Sequence, residues 1–120
     1  MTTQDIALDL VALCREGKFA EAGDRYWADD VVAIEATEGE GARMQGKANL
    51  AAKGAAWSAN TEVHSGAVEG PYINGDQFLV RFTLDMTRKA AGQRLTMDEM
   101  ALYTVRDGKI VEERFFLTPN

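Results

Sequence analysis

The chain has 120 residues, enough for one domain with a single core of ordinary size. Hydrophobic residues make up 46% and charged residues 27%, a globular balance that excludes a disordered or proline-rich linker. A net charge of -6 and a pI near 4.7 exclude the broad basic surface on which nucleic acid or an anionic membrane would dock.

Residues Met1 to Leu10 contain no basic leader region, and no apolar run approaches the roughly 20 residues that cross a bilayer, so a cytoplasmic location is expected. Ile6, Leu10 and Leu13, flanked by Ala7, Val11 and Cys14, recur every three or four residues. They predict an amphipathic helix from Gln4 to Arg15, capped by Thr2 or Thr3 and ended by Gly17. Cys14, the single cysteine, reads as a small buried apolar group rather than a nucleophile. A second helix, Phe19 to Trp27, presents Phe19, Ala22 and Tyr26, and carries Gly23 at its centre, where glycine costs up to about 1 kcal/mol relative to alanine. The two form a helical hairpin.

The β-branched run Val31-Val32-Ala33-Ile34-Glu35-Ala36 predicts a strand, and the glycine-rich, acidic segment Thr37 to Lys47 a mobile loop. A third, alanine-rich helix from Lys47 to Ala59 carries Leu50 and Trp57 seven residues apart. From Asn60 the period changes to two. Thr61 to Val68 alternates, Gly70 to Gly75 reads as a turn, and Phe78, Val80, Phe82, Leu84 and Met86 make an apolar comb. Gln93 to Leu117 then reads as a long hairpin turning at Arg106-Asp107-Gly108-Lys109. Three N-terminal helices followed by a run of strands indicate an α+β fold, with a curved antiparallel or mixed sheet packed against the helices and space enclosed at its centre.

Four residues are candidates for proton chemistry. Glu35 ends an apolar strand before a flexible loop, a place where desolvation makes a carboxylate a usable base or acid. His64, the single histidine, can shuttle a proton near neutral pH. Glu99 shares a strand face with Met97, Ala101, Tyr103 and Val105, so an inward Glu99 places a carboxyl group and the Tyr103 hydroxyl on one cavity wall, suited to stabilising an enolate. The competing reading of these acids is an interstrand ion pair, Glu99 with Arg81 or Asp98 with Arg114. Tyr26, Trp27, Trp57, Phe82 and Phe115 are the candidate ligand-contacting aromatics. One histidine and one cysteine supply no metal set, and there is no phosphate-binding glycine loop, nucleophile elbow or His-Glu-x-x-His helix. No cofactor is therefore expected.

Several segments, in order, resemble the nuclear transport factor 2-like superfamily and its SnoaL-like group. They are the Gly17 break, Tyr26-Trp27-Ala28-Asp29-Asp30-Val31 leading into Glu35, Gly46-Lys47, Gly70-Pro71-Tyr72, Gly75-Asp76-Gln77-Phe78, and Tyr103-Thr104-Val105-Arg106-Asp107-Gly108-Lys109-Ile110. The resemblance spans essentially the whole chain. It implies a cone of bent sheet wrapped by three helices, a homodimer formed through the sheet, and a cone cavity that takes a small hydrophobic organic ligand. The superfamily includes steroid isomerases, polyketide cyclases and dehydratases, so the implied chemistry is proton transfer. Matching Ala28-Asp29-Asp30 to the corresponding signature of ketosteroid isomerase carries that enzyme's base onto Glu35. Its oxyanion-hole tyrosine and aspartic acid fall near Leu10 and Met100, so an oxyanion hole here has to be rebuilt from His64, Glu99 or Tyr103. The alternative is a non-catalytic interaction module working through the sheet surface.

Overall fold

The computed structural model describes residues 1–117, and its first element shows how local sequence sets local structure. Thr2 Oγ1 accepts from the Asp5 amide at 3.1 Å while Asp5 Oδ2 accepts from the Thr2 amide at 3.1 Å, a reciprocal cap that starts helix α1, Thr3–Arg15. Gly17, at φ +75°, closes it by donating to the Cys14 carbonyl. Ile6, Ala7, Leu10, Val11, Leu13 and Cys14 form its buried stripe, as the spacing predicts.

Helix α2 covers Phe19–Tyr26, one residue short of the predicted end, because Trp27 opens strand β1, Trp27–Ile34. A short strand β2, Arg43–Gln45, lies inside the segment read as a loop and pairs antiparallel with β1. Three residues carry too little alternation to be seen without their partner. Helix α3 spans Lys47–Asn60, followed by β3 (Thr61–Asn74), β4 (Gln77–Arg88), β5 (Gln93–Arg106) and β6 (Lys109–Leu117).

The expected turn over Gly70 to Gly75 is not a turn. β3 runs through Pro71 and reverses only at Gly75-Asp76. Pro71 is tolerated because β3 is an edge strand, where a missing donor breaks no ladder on the open side.

The sheet order is β2-β1-β6-β5-β4-β3, with β1 and β6 parallel and the other pairs antiparallel. Thus an open six-stranded mixed sheet packs against three helices, the α+β arrangement read from the sequence. Register irregularities interrupt the β3–β4 and β5–β6 ladders, and each extra residue bends its strand, which curls the sheet around its helical side. Phe78, Val80, Phe82, Ala101, Tyr103 and Ile110 from this concave face meet the stripe of α1 in one core. Close to its centre, the sheet and helices leave a cavity of about 390 Å³. Among the described residues no helix is long and apolar enough to cross a membrane.

Candidate functional site

The cavity floor is set by strand register. Tyr103 on β5 stands opposite Glu113 on β6, and Glu113 stands opposite Ala33 on β1, so all three side chains share the concave face. Glu99, four residues before Tyr103 on the same face, stands opposite Phe82. Ala101 lies between them and is fully buried, its methyl group keeping the floor open. Trp27, Phe115 and Phe82 form apolar walls; Leu50, Lys53 and Trp57 come down from α3.

Glu113 is only 8% exposed, and Trp27 Nε1 donates to its Oε1 at 2.5 Å. Burial pushes its carboxyl up to about 7, against the Trp27 hydrogen bond and the positive charge of Lys53. Glu99 is also pushed up to about 7 by burial, with Lys53 opposing and Glu113 adding to the rise. Lys53 is pulled the other way: burial lowers the pKa of its ammonium group, partly offset by Glu113 and Glu99. The Lys53 ammonium group donates to Glu35 Oε1. Burial holds the Tyr103 hydroxyl well above its ordinary value and pushes the Cys14 thiol up to about 12, so both remain protonated. The site therefore contains two carboxyl groups poised near neutrality, a neighbouring ammonium group and a neutral phenol.

Seven of the nine residues singled out from the sequence line this cavity: Glu35, Glu99, Tyr103, Trp27, Trp57, Phe82 and Phe115. Two do not. His64 occupies the β3 irregularity between Val63 and Ser65, where strict alternation fails, and stands on the outer side with Thr87 Oγ1 at 2.7 Å and Glu62 at 4.0 Å. Tyr26 is buried between helices, where its hydroxyl donates to Asp9 Oδ2 beside Arg25, at 2.7 Å from the same oxygen. It joins α1 to α2 and does not line this cavity.

The interstrand ion pair also differs from either pairing considered. Arg81 binds Asp98 through two hydrogen bonds of 2.9 and 2.7 Å on the outer face, which leaves Glu99 facing inward. Arg114 lies 3.9 Å from Glu112.

Sequence reasoning missed Glu113 and Lys53. Lys53 had a visible signal, a cation three residues after Leu50 and four before Trp57 on the apolar side of α3. Glu113 had none, since Glu112-Glu113-Arg114 reads as a solvated charge run. Its inward position depends on one extra residue, Val111, between the pairs Val105–Ile110 and Thr104–Glu112. Among the described residues no three His, Cys, Asp or Glu side chains are placed to hold a metal ion.

With this fold and cavity described, the family follows: the SnoaL-like domain family profile matches residues 1–117, and the chain belongs to that family. A candidate SnoaL-like polyketide cyclase from Mesorhizobium loti is 52% identical, with a TM-score of 0.93 over 97% of this chain and 99% of that one. A candidate isomerase from Bacillus subtilis shares the fold at 20% identity, with a TM-score of 0.80 over 99% of this chain and 91% of that one. A protein from Catenulispora acidiphila with a ketosteroid isomerase-like fold, solved with trimethylamine, has 21% identity and a TM-score of 0.65 over 81% of this chain and 72% of that one. No curated protein matches the chain.

Proposed function

We propose that the cavity binds a small, largely apolar carbonyl compound and moves a proton on it, the step shared by isomerases and cyclases. The observation that carries this reading is the inward pair Glu99 and Glu113, desolvated until both titrate near neutral pH, with Lys53 facing them. Glu99, which accepts no hydrogen bond from Trp27, takes the proton from the carbon next to the carbonyl. The ammonium group of Lys53 and the hydroxyl of Tyr103 hold the oxygen as negative charge develops on it, and apolar walls strengthen both interactions. Glu35 orients Lys53 through their ion pair. A cavity of about 390 Å³ suits a ligand of one to three rings.

The test is hydrogen–deuterium exchange at the α-carbon of 2-tetralone and 1-indanone in heavy water, followed by NMR. The protein should accelerate exchange, the rate rising with pH to a plateau just above 7 as Glu99 ionises, and Glu99→Gln should lower it about 100-fold or more. No acceleration by the unmodified protein, or full activity in Glu99→Gln, would overturn the proposal.

The reading includes a homodimer through the outer face of the sheet. What supports it is a half-apolar surface there: Leu79 opposite Leu102 and Met100 opposite Phe116, with Tyr72 and Phe116 exposed at 59% and 49%. We place the protein in the cytoplasm, a setting compatible with its buried free thiol.

A further inference from the structure

The charges around the cavity do not balance. Lys47 lies 3.7 Å from Asp24, and Lys53 is paired with Glu35. These lysines are the only basic residues among the described residues that line the cavity, so each cation already has a carboxylate of its own. Glu99 and Glu113 remain without a dedicated basic partner. Glu113 is also flanked by aromatic rings: Trp27 bonded to it, Tyr103 opposite it, and Phe115 two residues further along the same strand face. Aromatic rings beside a desolvated carboxylate favour an organic cation over a neutral ligand, by charge and, where a ring presents its face, by its quadrupole.

We infer that the ligand carries a cationic nitrogen, an ammonium or alkylated amine, seated against Glu113 between Trp27, Tyr103 and Phe115. This rests on the use of the same cavity proposed above and narrows its substrate class to amine-bearing carbonyl compounds. Glu99 stays available for the proton, while the nitrogen supplies the charge that the protein leaves out. Because burial holds Glu113 near its midpoint at neutral pH, the cation binds best once that carboxyl is ionised, and affinity rises with pH through about 7. The titratable groups facing Glu113 are Lys53 from α3, Glu99 and Tyr103 from β5, and Cys14 from α1, with Glu35 behind Lys53. Cys14 and Tyr103 stay neutral throughout this range.

Phenyltrimethylammonium and tert-butylbenzene have the same shape and differ in charge, so their binding, read by tryptophan fluorescence, isolates the cation. At about pH 8 the ammonium probe should bind about tenfold or more tightly than its neutral twin. Near pH 5.5 this preference should shrink towards unity. Glu113→Gln should abolish the preference while still binding tert-butylbenzene, which shows that the cavity remains folded. The pH series on the unmodified protein tests the same point without a substitution. Equal affinities at pH 8, or a preference that survives both Glu113→Gln and acid, would overturn the inference. If 2-tetralone exchange persists with no cation preference, this inference alone falls; if neither probe binds, the cavity reading falls with it.

Discussion

Glu113 and Glu99 hold more protons in the folded protein than in the unfolded chain, and this has a direct effect on stability. Each folded carboxyl titrates at about 7, against an ordinary value of 4.5. Between those limits the folded state binds the extra proton, so stability is greatest below about pH 4.5 for these groups and is lost as pH rises through 7. For Glu113 the loss is on the order of 3 kcal/mol. The acids held low work in the opposite direction but below this window: Asp9 bonded by Tyr26 and Arg25, Asp98 bonded by Arg81, and Asp85 bonded by Arg94. Urea unfolding at about pH 5 and about pH 8 should therefore show the unmodified protein weaker at the higher pH. Glu113→Gln, whose amide oxygen still accepts from Trp27, should reduce that difference. An unaltered difference would mean that the pH dependence arises elsewhere. At this scale the sequence was partly legible. Glu99 follows from alternation on its own strand, whereas Glu113 needs the pairing between two strands.

The same dependence on neighbours appears at the level of elements. Gly23 looks like a flaw in α2 when the helix is read alone, yet the Trp27 ring lies over it, and an added Cβ would fall 2.5 Å from that ring. Alanine would bring about 1 kcal/mol of helix propensity. Against this stand steric overlap, of roughly 1–3 kcal/mol, and disruption of a buried hydrogen bond to Glu113, roughly 1.5–3 kcal/mol. The overlap and the lost bond win. Gly23→Ala should destabilise the protein by about 2 kcal/mol in urea unfolding, and should weaken tert-butylbenzene binding as Trp27 is displaced. A more stable Gly23→Ala protein would show that Trp27 is free to move aside. His64 makes the complementary point. Its strand was legible and its face was not, because the irregularity after Val63 leaves no residue of β4 opposite it.

For the whole molecule, the architecture was legible because the apolar period changes from helical to two at Asn60, and three helices before several strands leave few ways to cover one sheet. The parallel pairing of β1 with β6 was not, since it joins segments about 80 residues apart and neither carries a local mark of the other. The outer face is the matching whole-molecule prediction. At micromolar concentration the protein should sediment as a dimer, and Met100→Lys, on the outer face opposite Arg81 and Phe116, should shift it to monomer while cavity binding persists. A monomeric unmodified protein would remove the sheet surface as an interface.

The extra residue at Val111 makes the chemistry of the cavity floor depend on strand register as well as on residue type. A β6 that took Val111 into the ladder without the irregularity would set Val111 opposite Thr104 and Glu112 opposite Tyr103, turning Glu112, Arg114 and Phe116 inward and Glu113 and Phe115 out. The floor would then carry a guanidinium group beside its carboxyl group, with no side chain altered. The register of one hairpin thus decides whether the cavity floor offers a carboxyl group alone or a carboxyl group beside a guanidinium group.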